Sequence, residues 1–329
     1  MDNCLLIGPN KDYIASLKKA LHKVYAIEDR GPANFFLGVQ IVQDRSKRQL
    51  WLHQAQYVKE ALRTFNLEDS RPLLVPLQPG LLNELAKSYQ KTVSSPEIKL
   101  YQQIIGTLMY LMLMTRPDIA FSVQWLSRFL QAPTVAHLNA AKGLLKYLKG
   151  TMNLAIIYSY TVSKSLQTLQ PVGYCDSDFA GDKVTSKSTY GYLFKLAGGP
   201  INWKSKRATT IALSTTEAET DALTETIREL QWLKGLFEEI KISINPPLVI
   251  HCDNQGSVSN ASNPNLHSRT KHTLLKFSYV RECIQKGIVQ VSYLNTKEMP
   301  ADGLIKPLSS VLQQRFLDLL GLTRLSLLS

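Results

Sequence analysis

Cysteine is scarce in this chain of 329 residues: Cys4, Cys175, Cys252 and Cys283 are the only four. They are too few and too scattered for a disulfide framework, and none are spaced as a CxxC zinc pair. Long apolar runs are missing too. No stretch reaches the roughly 18 residues of a membrane-spanning helix, so no membrane partner of that kind is expected. The opening Met1 to Gly8 has neither the basic flank nor the apolar stretch of a secretory signal,. An intracellular, reducing setting follows as the expectation, cytoplasmic or nuclear. With Gly 17, Pro 15 and 44% hydrophobic residues, collagen-like and wholly disordered classes are excluded,.

Acidic side chains are the minority charge, 26 against 38 Lys plus Arg, for a formal charge of +12. The excess is spread out: residues 1–160 hold 19 basic and 11 acidic side chains, residues 161–329 hold 19 and 15. A basic surface suits polyanions, either nucleic acid or an anionic membrane surface, with plain solubility as the ordinary alternative. At roughly 100–200 residues per domain, the length suits about two domains.

In the first half, apolar residues at three- and four-residue steps predict helices from Asn10 to Tyr25 and from Gln54 to Phe65. Between them, Asn34 to Val42 and Gln49 to His53 read as paired strands across the polar turn 44–47. Residues 70–95 carry three prolines, with Pro96 just beyond, and read as a connecting segment. Three helical runs follow, Tyr101–Met114, Asp118–Leu130 and Val135–Leu148, then a short strand at 154–158. The Ser/Thr-rich segment 159–169 is the main predicted boundary. Beyond it, strands at 172–179, 190–197 and 201–206 are joined by short turns and so are antiparallel neighbours. A helix over 216–240, a strand over 248–252, a helix over 272–285 and a strand over 288–294 demand a parallel crossover. A helical stretch follows Pro300. The predicted class is α/β with a mixed sheet flanked by helices.

The placing of acids in that pattern carries the chemistry. Asp176 and Asp178 end the first of these strands and, two apart, share a face, while Cys175 and Ser177 point the other way, Cys175 into the core. Cys252 is read in the same way, as packing. Asp253 closes the strand Leu-Val-Ile-His-Cys-Asp. Ligand sites gather at such carboxyl ends. On the long helix, Glu219 lies on the apolar stripe of Ala222, Leu223 and Ile227, an inward carboxylate that needs a partner. Glu217 falls on the polar face and fits a capping box with Ser214. Asp302 opens the stretch after Pro300, where a first-turn charge on the helix dipole is its ordinary reading. Taken singly, each acid has such a structural explanation. Together they describe oxygen ligation of hard divalent cations. Lys204, Lys206 and Arg207, with Arg269 and Lys271, are candidate phosphate contacts. For Lys204 to Arg207, an edge strand guarded by lysines is the competing explanation.

The wording is more specific than the pattern. GYCDSDFAGD, STYGYLFKLAGGPINWKSKR, ALSTTEAETDAL, HCDNQGSV, HSRTKH and MPADGLIKPL resemble the RNase H domain of copia-type retrotransposon Pol polyproteins over about residues 170 to 308. NFFLGVQI, LHQAQYVKEALRTFNL, IGTLMYLMLMTRPDIAFSVQWLSRFLQAP and HLNAAKGLLKYLKGT resemble the end of the reverse-transcriptase palm, the thumb and the connection of the same family. The resemblance implies an RNase H-like five-stranded mixed sheet preceded by a partial palm and thumb. Its expected divisions are 1–95 as palm and thumb remnant, 96–160 as helical thumb or connection, and 161–329 as RNase H-like domain with a tail.

By the same resemblance, Asp176, Glu219, Asp253 and Asp302 are the metal-binding and catalytic acids. The implied cofactor is two Mg²⁺ ions, with Mn²⁺ as a substitute. The implied reaction is endonucleolytic hydrolysis of RNA in an RNA·DNA hybrid, with the hybrid and other retroelement Pol chains as partners. Asp178 is a lesser candidate beside the acids. Departures from the family pattern are Thr220 in place of an aromatic, Gly303 and Ile305 beside Asp302, and no His in LNTKEMPAD. At the chain start Asp2 aligns with the first Asp of the polymerase pair and Asn3 replaces the second. No polymerase centre is therefore expected from this chain alone. A non-catalytic nucleic-acid-binding remnant and an accessory subunit of an intact reverse transcriptase are the alternative readings.

Overall fold

The computed structural model describes residues 3–86, 92–160, 169–262 and 271–325. Helix α1 (Lys11–Val24) starts where Asn10 Oδ1 accepts the Tyr13 N–H at 3.0 Å, and it buries none of its residues. Strands β1 (Phe35–Phe36), β2 (Val39–Asp44) and β3 (Gln49–His53) run antiparallel. Asp44 Oδ1 ties the predicted turn by accepting the N–H groups of Ser46 and Lys47 at 2.9 and 3.0 Å. Helix α2 (Ala55–Thr64) buries Val58, Ala61 and Leu62. The proline-bearing segment contains the short helix α3 (Leu81–Ala86).

Helix α4 (Ser95–Met114) opens earlier than its apolar periodicity suggests, because Ser94 and Glu97 form a capping box around Pro96 in the first turn,. A 3-10 turn at Pro117–Ile119 leads into α5 (Ala120–Leu126), and α6 (Val135–Gly150) is capped by Thr134 with His137. These helices pack with α2 around Tyr101, Ile105, Leu108 and Leu144, all fully buried. Strand β4 (Leu154–Ser159) then pairs with β3.

The second half is built from β5 (Val172–Asp178), β6 (Thr189–Leu196), β7 (Gly199–Arg207), α7 (Thr215–Glu239) and β8 (Leu248–Cys252). It continues through α8 (Gln255–Ser262), α9 (Lys271–Gln285) and β9 (Val289–Tyr293). The sheet order is β7-β6-β5-β8-β9, antiparallel from β7 to β5 and parallel from β5 to β9. Cys175 and Cys252 stand opposite each other across β5 and β8. Helix α7 covers one face through Ala222, Leu223, Ile227 and Leu230.

The stretch after Pro300 is a 3-10 turn at Asp302–Leu304, then α10 (Ser310–Leu320) and the strand β10 (Leu322–Arg324). Strand β10 pairs with β4, closing the first sheet in the order β1-β2-β3-β4-β10. A shared apolar cluster that includes Leu154, Ile156, Leu193, Leu304, Phe316 and Leu320 joins the two sheets. Polar ties cross the same seam: Tyr158 Oη donates to the Pro200 carbonyl at 2.6 Å, and Trp203 Nε1 to that of Met112 at 2.9 Å.

Two glycines set the packing of the Asp302 turn. A Cβ on Gly191 of β6 would lie 2.6 Å from Leu304 Cβ, and one on Gly303 would lie 2.5 Å from the Phe316 ring. Only a residue without a side chain lets these backbones approach so closely.

Candidate metal centre

Strand β5, helix α7, the residue after β8 and the turn at Asp302–Leu304 carry the four acids. Asp176 lies near the end of β5, is 3% exposed, and its Oδ1 accepts the Ser177 N–H at 2.8 Å. Its Oδ2 is buried and accepts no hydrogen bond. A buried anionic oxygen without a partner carries a large desolvation cost. Burial lifts the Asp176 carboxyl well above the usual carboxylate range, and the carboxylates of Asp253, Glu219 and Asp302 lift it further, while Lys306 opposes them. Asp176 therefore feels the charges of the three other acids.

Glu219, in the second turn of α7, is 5% exposed, as its place on the apolar stripe predicts. Burial is the main cause that pushes its carboxyl up to about 9, with the Cys252 sulfur and Asp253 adding to it. Asp253 follows β8, and its Oδ2 accepts the Thr296 hydroxyl at 2.8 Å. The next residue, Asn254, opens α8 by accepting the Ser257 N–H on Oδ1 at 2.8 Å. One ligand atom each from Glu219, Cys252 and Asp253 lies within 4.8 Å of the others. Cys252 is thus a core residue whose sulfur also lines the acids, 3.9 Å from Glu219 Oε2.

Asp302 begins its 3-10 turn beside the sheet, and its Oδ1 lies 2.5 Å from Lys306 Nζ. Asp178 is partly buried, and burial raises its carboxyl against the pull of Lys306 and Lys183. Glu217 is structural, with a changed detail. Its Oε2 accepts the Leu213 N–H at 2.8 Å, one residue before the Ser214 cap, while Ser214 Oγ accepts the Glu217 N–H at 3.1 Å.

The predicted basic contacts divide. Lys204 and Lys206 are exposed on β7, an edge strand, and Lys204 Nζ stands 5.9 Å from the centre of the Tyr192 ring. Arg207 is engaged within the chain, 3.2 Å from Asp182 Oδ2, which Arg128 also meets at 2.5 Å. Arg269 lies outside the described residues, as does the side chain of Lys271. Sequence reasoning passed over Lys306. Its available signal was the four-residue spacing from Asp302, which places the two on one side of a helical turn. It also passed over Asp182, whose two arginine partners are distant in sequence.

The donor set fits hard divalent cations. Carboxylate oxygens suit Mg²⁺ and Mn²⁺, and mutual repulsion among buried acids is what a bound cation relieves. Among the described residues no helix is long and apolar enough to cross a membrane.

The mixed sheet in this strand order, with acids at the ends of its two central strands, is the RNase H-like architecture that the motifs imply. The relatives give the family. The chain is 38% identical over 312 residues to the retrovirus-related Pol polyprotein from transposon TNT 1-94 of Nicotiana tabacum, covering 93% of this chain and 23% of that protein. It is 34% identical over 324 residues to the Pol polyprotein from transposon RE1 of Arabidopsis thaliana, covering 98% and 21%. An uncharacterized mitochondrial protein of the same plant is 34% identical over 232 residues, covering 70% of this chain and 91% of the relative. The chain belongs to the copia-type retrovirus-related Pol polyproteins of transposons. It spans 21–23% of the length of the plant Pol polyproteins it matches.

No family model matches. Among solved structures, LC11-RNase H1 in complex with RNA/DNA hybrid aligns at 13% identity and TM-score 0.33, over 41% of this chain and 94% of that one. The foamy viral protease-reverse transcriptase in complex with RNA/DNA hybrid aligns at 14% identity and TM-score 0.30, over 67% and 27%.

Proposed function

We propose that the chain is a retroelement RNase H that hydrolyses the RNA strand of RNA·DNA hybrids with two Mg²⁺ ions held by Asp176, Glu219, Asp253 and Asp302. The observation that carries the reading is a buried Asp176 oxygen with no hydrogen-bond partner, set in the field of Asp253, Glu219 and Asp302. Ions bound there would supply an activated water and charge to stabilise the leaving oxygen of a phosphodiester.

The protein's own contribution is orientation. The Ser177 N–H occupies one oxygen of Asp176, which leaves the other unpaired. The Thr296 hydroxyl holds one oxygen of Asp253. The 3-10 turn fixes Asp302 through Leu304, which is wholly buried. Lys204 and Lys206, exposed on the edge strand β7, would contact the nucleic-acid backbone. Recognition of a hybrid would then depend on phosphates, 2′-hydroxyls and groove shape more than on base identity.

The reading is confined to hydrolysis, because the acids gather on the second sheet. Association with further Pol sequence is part of it: α1 buries none of its residues, and Ile7, Tyr13, Val24 and Tyr25 are exposed around it. The test is cleavage of a labelled RNA strand in a hybrid, with Mg²⁺ and with chelator, beside Asp253→Asn. Metal-dependent cutting that disappears in the variant supports the reading. A folded, hybrid-bound protein that does not cut refutes it and leaves a binding remnant.

A further inference from the structure

We infer that Lys306 is the internal counter-ion of the acid centre, engaging Asp302 until a divalent cation displaces it and so setting the affinity of the centre for metal. The inference rests on the metal-centre reading above.

The Lys306 ammonium lies 2.5 Å from Asp302 Oδ1, and its charge also acts on Asp176 and Asp178. Lys183 acts on Asp178 as well. An ammonium and a divalent ion cannot share one carboxylate oxygen without repulsion. Lys306 therefore favours the cation-free centre and opposes the loaded one.

Displacement needs no movement of the backbone. Leu304, Ile305 and Leu308 on either side of Lys306 are buried, so the turn stays anchored. The Lys306 side chain is itself 44% exposed, against 18% for Asp302. Its flexible four-carbon stem can therefore swing the ammonium into water while Asp302 stays in place. A lysine serving only to grip a phosphate of the nucleic acid would not alter metal affinity when nucleic acid is absent. That difference separates the two roles.

The test is Mn²⁺ binding to the full chain without nucleic acid, followed by the electron paramagnetic resonance signal of the free ion. The proteins compared are wild type, Lys306→Met, Lys306→Arg and Asp253→Asn. The expected result is an affinity about tenfold tighter in Lys306→Met, the scale of one partly screened charge contact removed. Lys306→Arg, which keeps the charge, stays near wild type or weaker. In chelator, Lys306→Met melts below wild type, and saturating Mn²⁺ closes that gap. Unchanged or weaker Mn²⁺ binding in Lys306→Met overturns the counter-ion role while the centre itself stands. Wild-type protein with no Mn²⁺ site sensitive to Asp253→Asn overturns the metal-centre reading and this inference together.

Discussion

Asp118→Asn strikes a buried polar network whose 3-10 turn packs against the Asp302 turn, and its cost can be worked from the structure. The Arg116 side chain is 2% exposed and that of Asp118 is wholly buried. Arg116 Nε and Nη2 donate to the two Asp118 oxygens at 2.8 and 2.7 Å, and Tyr147 Oη donates to Oδ2 at 2.7 Å. Both oxygens act as acceptors. An asparagine must therefore turn its NH₂ toward a donor and leave a guanidinium with no counter-charge. Breaking one side of such a buried pair costs about 3–5 kcal/mol. At about 2–4 °C per kcal/mol for a protein of this order, the melting temperature should fall by about 10 °C.

The network also reaches the site. Gln313 of α10 donates to Tyr147 Oη at 3.1 Å, and Phe316 of the same helix backs the Asp302 turn at Gly303. The assay is urea unfolding of wild type, Asp118→Asn and the double variant Arg116→Met/Asp118→Leu at constant m value. The double variant should recover most of the loss, because it removes both charges together. A loss below about 1 kcal/mol in Asp118→Asn would refute the claim that this pair is buried and uncompensated.

Other consequences follow from the same geometry. Gly191→Ala puts a methyl 2.6 Å from Leu304 Cβ and should shift the Asp302 turn; Mn²⁺ affinity should fall at least several-fold, and wild-type affinity would contradict the packing. Glu219 is raised to about 9 from an ordinary value of 4.5. The folded state therefore holds its proton more tightly than the unfolded state, and metal-free stability should decline as pH rises from about 5 to 9. Glu219→Gln should flatten that decline in a melting series, and an unchanged slope would contradict the assignment. Lys204→Ala/Lys206→Ala should weaken hybrid binding and lower its salt slope by up to about 2, with Mn²⁺ affinity unaltered; an unchanged salt slope would leave these lysines as edge-strand guards.

The second sheet was legible because its rhythm is local. Two-residue alternation at Asp176 and Asp178, the apolar stripe under Glu219, and the strand ending at Asp253 each state a direction for one side chain. The resemblance then supplied which directions matter. What escaped depends on tertiary contact. Strand β10 is three residues long, with no alternation to betray it, and exists because β4 offers a free edge. The start of α4 lay hidden in a proline-bearing segment whose capping box becomes visible only as a pair, Ser94 with Glu97. Arg207 reads as a free basic residue until Asp182, drawn close by the loop after β5, claims it. Lys306 was hidden behind the dipole explanation for Asp302, although the four-residue spacing was there.

The central claim is that four acids form one catalytic centre. Its most direct measurement is single-turnover cleavage of a hybrid, with either strand labelled, by wild type and by Asp176→Asn, Glu219→Gln, Asp253→Asn and Asp302→Asn. Folding and hybrid binding are checked for each variant. The account expects Mg²⁺-dependent cutting of the RNA strand only, reduced at least about a hundredfold in every variant. Wild-type cutting by Asp176→Asn, or cutting of either strand that persists in chelator, would contradict it.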